Sequence, residues 1–262
     1  MSEVNDLVTL ATRAARAAGD LLLERYGGPQ SGLAAKSSRT DLVSDADRDA
    51  EALLVGMLRE ARPGDGLIAE EGSTAMSTTG VRWLVDPLDG TINYLWGIPH
   101  WSVSVAATDG GGDLVAVVHD PCRGETFTAS RGGGAWLGGA RLALIPSHEL
   151  AEALVGTGFS YVAEERARQA QTLQRFLPHV RDVRRSGSAA LELSWVAAGR
   201  LDAFYETGLS PWDWAAGGAI VKAAGGTVAT VSAHGRPDGI LAARPGLGEP
   251  LLALITAADQ VA

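Results

Sequence analysis

The chain has 262 residues, 46 % hydrophobic and 20 % charged, with 22 Lys and Arg against 31 Asp and Glu for a formal charge of −9. At about 150 residues per domain this length builds one or two domains with their own core, and the composition excludes global disorder. The acidic balance argues against nucleic acid and anionic membranes as ligands, and a single cysteine, Cys122, excludes an internal disulfide or a thiolate cage, which points to a reducing, cytoplasmic setting and to oxygen or histidine for any metal.

Val4, Leu7, Val8, Ala11, Ala14, Ala18, Leu21 and Leu22 recur at helical spacing, which predicts an amphipathic helix over residues 3–26 closed by Gly27-Gly28-Pro29. Its acids Glu3, Asp6, Asp20 and Glu24 are unlike an organellar transit peptide. Ser44 as N-cap, with Asp45 and Asp47 in the first turn, opens a second helix that Pro63-Gly64 ends. From Gly66 to about Leu144, short runs rich in Val, Thr, Trp and Phe are broken by glycine clusters at 110–112 and 132–134, a pattern that predicts antiparallel hairpins. Beyond Pro146, strand-like pieces at 153–157, 201–205 and 240–243 alternate with helical ones at 164–176, 189–198 and 212–224, which predicts α/β layering. The chain therefore divides near residue 145 into parts 1–145 and 146–262 that share one compact body. Residues 146–186 carry no motif and are expected to shape a pocket rim or a subunit interface. No stretch, 240–258 included, has the roughly 18 uninterrupted apolar residues of a membrane span.

The densest chemical signal is Trp-Leu-Val-Asp-Pro-Leu-Asp-Gly-Thr-Ile-Asn at 83–93, an apolar strand running into two aspartates three residues apart. Pro87 fixes its φ and lacks an N–H while Gly90 permits a sharp bend, so Asp86, Asp89 and the Leu88 carbonyl can be aimed at one point, a geometry suited to a hard cation such as Mg²⁺. Taken alone, the same residues also serve as an ordinary β-turn. A second strand end carries Ala-Glu-Glu-Gly at 69–72, which alone reads equally as a surface turn. A third acid, Asp213 in Ser-Pro-Trp-Asp-Trp-Ala-Ala-Gly at 210–217, opens a small-residue helix, where capping and metal binding are compatible.

In order and wording these motifs, with Asp-Leu-Val-Ser-Asp-Ala-Asp at 41–47, resemble the inositol monophosphatase family of magnesium-dependent, lithium-sensitive phosphatases. The resemblance implies a mixed α+β and α/β chain folded as a layered α-β-α-β-α sandwich of the sugar-phosphatase type, acting as a homodimer. It implies two or three Mg²⁺ per subunit, one on Glu70, Asp86 and the Leu88 carbonyl and a second on Asp86, Asp89 and Asp213, with a weaker third near Glu70. Paired cations of this kind clamp a phosphate, activate water and stabilise the leaving oxygen. Thr91 and Asp47 match the residues that orient the water and take its proton, although Asp47 also suits a plain helix-start acid. Gly90 and Thr91 would give backbone N–H groups to the phosphate, and Lys36, one of two lysines, would add positive charge.

On the alcohol side, Glu206 matches a glutamate that bonds ring hydroxyls, and Gly187, Ser188 and Ala189 match a small segment beside the ring. The implied substrate is inositol-1-phosphate or a similar small polyol phosphate. Histidinol phosphate and fructose-1,6-bisphosphate are alternatives within the superfamily, and a regulatory protein acting through a partner is one outside it. Ile92 replaces the lysine common in the 3′-nucleotidase branch, and Ala69 stands where many relatives have glycine. The five histidines, His100, His119, His148, His179 and His234, lack metal-ligand spacing, Cys122 reads as a small hydrophobe, and Gly132-Gly133-Gly134 lacks the Gly-Lys-Ser of a P-loop.

Overall fold

The computed structural model describes residues 2–28, 31–35, 42–147, 149–233 and 236–257, so Lys36, His148 and His234 lie outside the described residues. Helix α1 (Ser2–Arg25) leads through a ribbon of β1 (Ala34–Ala35) and β2 (Leu42–Val43) to helix α2 (Asp45–Ala61). Both helices agree with the hydrophobic spacing, which buries Leu7, Ala11, Ala14, Ala18 and Leu22 on one and Ala50, Leu54 and Leu58 on the other.

The strands β3 (Gly66–Ala69), β4 (Thr74–Ala75), β5 (Arg82–Asp89), β6 (Ser102–Asp109), β7 (Gly112–Asp120), β8 (Glu125–Ser130), β9 (Gly134–Leu137) and β10 (Ala140–Leu142) form one sheet, with the short helix α3 (Thr91–Leu95) after β5. Among the described residues its order is β10-β9-β8-β7-β6-β5-β3-β4. The hairpins from β5 to β10 are antiparallel as predicted, but β3 runs parallel to β5, with Ala69 opposite Val85. The reason is that β3 first turns back into β4 at the sheet edge, and residues 76–81 then return the chain to start β5 in the same direction as β3. Both strands therefore end side by side, and Glu70 emerges next to Asp86.

A bulge in β5 decides where its two aspartates point. Asp86 pairs with Ser104 and Asp89 with Ser102, so three steps on β5 match two on β6. Residues three apart on a regular strand face opposite sides; the one extra residue, beside Pro87 with no N–H to lose, returns Asp89 to the face of Asp86.

The second sheet contains β11 (Leu154–Thr157), β12 (Asp182–Arg184), β13 (Ala203–Thr207), β14 (Thr227–Ala233) and β15 (Arg236–Ala243), in the order β12-β11-β13-β15-β14 among the described residues. Helices α4 (Ala163–Phe176), α5 (Ala189–Ala197), α6 (Pro211–Ala223) and α7 (Gly248–Ala257) complete the chain. Strands β12 and β14 and helix α7 are additions to the elements read from sequence.

The layers run α1 and α2, the first sheet, α5 and α6, the second sheet, then α4 and α7. Three cores follow from the strand period of two. Val103, Val105, Val115 and Val117 pack against α1 and α2, whereas Ala106, Ala116 and Val118 meet α5 and α6. On the outer face of the second sheet, Val155, Tyr205 and Leu241 bury Phe176, Leu251 and Ile255. No helix among the described residues is long and apolar enough to cross a membrane.

Candidate active site

The adjoining ends of β3 and β5 deliver Glu70, Asp86 and Asp89 to one cleft, and the start of α6 brings Asp213 to the same place. Asp86 is 2 % exposed, and its Oδ1 accepts the Leu88 N–H at 2.9 Å. Asp89 is held against the beginning of α5, where it accepts the Ser188 hydroxyl at 2.6 Å and the Ala190 and Ala189 N–H groups at 2.8 and 3.2 Å. Asp213 accepts the Ser210 N–H at 2.7 Å, and the Ser104 hydroxyl fixes the start of α6 by donating to the Trp212 carbonyl at 3.2 Å. Two helices thus direct their positive ends at acids of the cleft, which offsets part of their charge.

The remaining repulsion is visible in the acidities. Burial pushes the Asp86 carboxyl well above the usual carboxylate range, and the nearby Glu70, Asp89 and Asp213 push it further. Asp89 rises to about 6 because of burial, against the opposing hydrogen bonds from Ser188, Ala190 and Ala189. Among the described residues no three acid, histidine or cysteine side chains already close a cage around one point. The acid donors gathered at this cleft are all oxygens, the chemistry that suits Mg²⁺, which takes one or two carboxylates and keeps several waters and substrate phosphate oxygens.

These shifts fix the sign of a pH effect. For a carboxyl whose folded pKa is raised, ionisation costs stability, so the cost is absent below the unfolded value near 4 and grows as pH climbs through the folded value. Divalent cations remove that cost only from the ionised form. Thermal melts with and without Mg²⁺ should therefore show a Mg²⁺-induced rise in Tm that is small at pH 4 to 5 and grows up to about pH 7; a rise independent of pH would contradict the cation assignment.

Thr91, next to Gly90, connects this cluster to α2. Its hydroxyl lies 3.1 Å from both Asp47 Oδ1 and the Leu88 carbonyl, and the other Asp47 oxygen accepts the Ser44 N–H at 2.9 Å and hydroxyl at 2.6 Å. Asp47 therefore caps its helix and also contacts Thr91. Gly90 has φ +100°, and a Cβ there would stand 3.1 Å from the carbonyl oxygens of Gly187 and His100, so both conformation and space require glycine. Asn93 ties the two loops together through its amide, which donates at 2.7 Å to both the His100 and Ser186 carbonyls.

The cleft, about 430 Å³, is walled on its other side by Gly187, Ser188, Ala189 and Glu206, with residues 157–162 and Arg185 also lining it. Residues 146–186 thus contribute a wall. Of the small segment, Ser188 and Ala189 hold Asp89, so they shape the acid cluster as well as the wall. Burial raises Glu206 well above its usual range; Glu192 adds to the rise and Arg185 opposes it. Glu192, absent from the sequence-based set, is 1 % exposed and raised to about 7 by burial, and its Oε1 accepts the Ser186 N–H at 2.6 Å. Of the other described side chains, His100 and His119 are buried elsewhere, and Cys122 is half-buried with its thiol pushed up to about 11.

A sequence model of the inositol monophosphatase family matches residues 3–259. The Nus factor SuhB of Escherichia coli is 41 % identical over 227 residues, covering 86 % of this chain and 85 % of that protein. The inositol-1-monophosphatase SuhB of Mycobacterium tuberculosis is 43 % identical over 244 residues, 89 % and 84 % of the two chains. Among solved structures, the extragenic suppressor protein suhB from Bartonella henselae superposes with a TM-score of 0.89 at 34 % identity, over 95 % of this chain and 98 % of that one. Matched almost end to end in sequence and in the layered α-β-α-β-α fold, the chain belongs to the inositol monophosphatase family.

Proposed function

We propose that the chain is a Mg²⁺-dependent, cytoplasmic, homodimeric phosphomonoesterase that hydrolyses small polyol phosphates, with inositol-1-phosphate as the leading substrate and sensitivity to Li⁺. Family membership supports a phosphatase, and the observation that carries the reading is the convergence of Glu70, Asp86, Asp89 and Asp213 on one cleft beside the Thr91–Asp47 contact. Glu70, Asp86 and the Leu88 carbonyl would hold one Mg²⁺ and Asp86, Asp89 and Asp213 another, and a weaker, mostly hydrated third would lie near Glu70. Bound there, the ions supply Lewis acidity toward the phosphate and lower the pKa of water. Asp47 keeps Thr91 oriented to hold a water for in-line attack and to pass on its proton, the Gly90 and Thr91 N–H groups bind phosphate oxygens, and Glu206 and Gly187 select the alcohol. Ser188 and Ala189 act mainly by fixing Asp89.

A phosphate-release panel of inositol-1-phosphate, histidinol phosphate, fructose-1,6-bisphosphate and 3′-phosphoadenosine 5′-phosphate, each with and without Mg²⁺ and Li⁺, tests this reading. Mg²⁺-dependent release that is fastest with inositol-1-phosphate supports it; preference for histidinol phosphate or fructose-1,6-bisphosphate overturns the substrate assignment, and no release from any of them overturns the enzyme. Within the panel, Glu206→Ala should raise KM for the polyol ester about 10-fold, the worth of one lost hydrogen bond to a carboxylate, with p-nitrophenyl phosphate little changed. Equal losses on both esters would remove Glu206 from alcohol recognition. Because the E. coli relative is named a Nus factor, the second reading is a role exerted through a protein partner, which predicts a cellular phenotype indifferent to Asp86→Asn.

A further inference from the structure

Helix α2 carries two buried acids one turn apart. Asp47 faces Thr91, while Glu51, 4 % exposed, reaches the turn between β3 and β4. There its Oε2 accepts the Glu71 N–H at 2.7 Å and its Oε1 the Ser73 N–H at 3.1 Å. The neighbouring backbone shows why this matters. Ala69 N–H donates to the Ser73 carbonyl, Glu70 N–H to the Val85 carbonyl and Gly72 N–H to the Ala69 carbonyl, at 2.9, 3.1 and 3.3 Å. Within the same turn, the Glu71 and Ser73 N–H groups both go to this one carboxylate. Gly72, at φ +110°, lets the turn fold tightly enough for both to point the same way.

We infer that Glu51 is a positioning residue for the divalent-cation site, setting the aim of Glu70 by clamping the backbone that immediately follows it. The inference rests on the proposed cation role of Glu70. Glu51 reaches neither the cleft nor a phosphate; it acts through residues 71–73, as outer-shell partners of metal ligands do. Part-buried N–H groups that lose their acceptor draw the turn toward water or other partners, and a ligand displaced by a fraction of an ångström loses cation affinity before the fold is lost.

The test is calorimetric titration of metal-stripped full-length protein with Mg²⁺, for wild type and Glu51→Gln, alongside circular-dichroism melts and steady-state kinetics. In Glu51→Gln one oxygen still accepts an N–H while the amide opposes the other. The expected result is a Mg²⁺ affinity weakened about 10- to 100-fold, a matching rise in the Mg²⁺ concentration giving half-maximal rate, and kcat mostly restored at saturating Mg²⁺. A purely structural role would lower Tm and leave the Mg²⁺ affinity within about twofold, and that outcome overturns the inference. Should Glu51→Gln be recovered unfolded, Glu51→Asp, which keeps the charge but is one methylene short of bridging both N–H groups, is titrated against the same criterion. Wild type that binds no Mg²⁺ would instead overturn the proposed cation site itself, so the two failures are distinguishable.

Discussion

Asp86→Asn is expected to reduce phosphate release by roughly 10³-fold or more, about 4 kcal/mol of transition-state stabilisation, while the metal-free protein becomes more stable. The two effects share one cause. Asp86 is buried among Glu70, Asp89 and Asp213, and its raised pKa records the cost of a charge there without a counter-ion. Asparagine removes the charge yet keeps an oxygen for the Leu88 N–H, so folding gains on the order of 1 kcal/mol and cation binding is lost. The measurements are kcat/KM at several Mg²⁺ concentrations and metal-free melting curves. Activity near wild type would remove Asp86 from the reaction, and a lowered metal-free Tm would contradict the electrostatic account.

Asp213→Asn should lower activity at ordinary Mg²⁺ by about 10² to 10³-fold, with partial recovery at high Mg²⁺. This substitution isolates cation binding from folding, because an asparagine oxygen can still accept the Ser210 N–H that caps α6. Asp213→Ala removes both and should cost about 1 kcal/mol of stability in addition. Full activity of Asp213→Asn at ordinary Mg²⁺ would leave Asp213 as a helix cap only.

Local chemistry made part of this legible in the sequence. Ser44 with Asp47 three residues on announces the start of α2, and Val103, Val105, Val115 and Val117 announce strands by their alternation. The direction of β3 could not be read, since a period of two is common to parallel and antiparallel strands, and only the return through residues 76–81 makes β3 and β5 end together. Helix α7 lies in an almost continuously apolar stretch with little amphipathic contrast, because it packs against both α4 and the second sheet. The proposed metal-ligand set rests on motif resemblance. Glu51 and Glu192 escaped it because their partners are backbone N–H groups, which leave no mark on residue identity; the one available signal was the four-residue spacing of Asp47 and Glu51 on a single helix face.

The cleft draws its acids chiefly from the first sheet and its facing wall from residues 157–162, Arg185 and Glu206, more than sixty positions further along the chain. Most of the proposed reaction residues and most of the facing wall thus lie in separate stretches of the chain, with Asp213 and the Asp89-holding Ser188 and Ala189 as the exceptions. Under the proposed function, mutational drift confined to 159–162 and 185 can retune which alcohol is accepted without disturbing bond cleavage, and an engineer seeking a new substrate would begin by randomising those positions, leaving 83–93, 188–190 and 213 untouched.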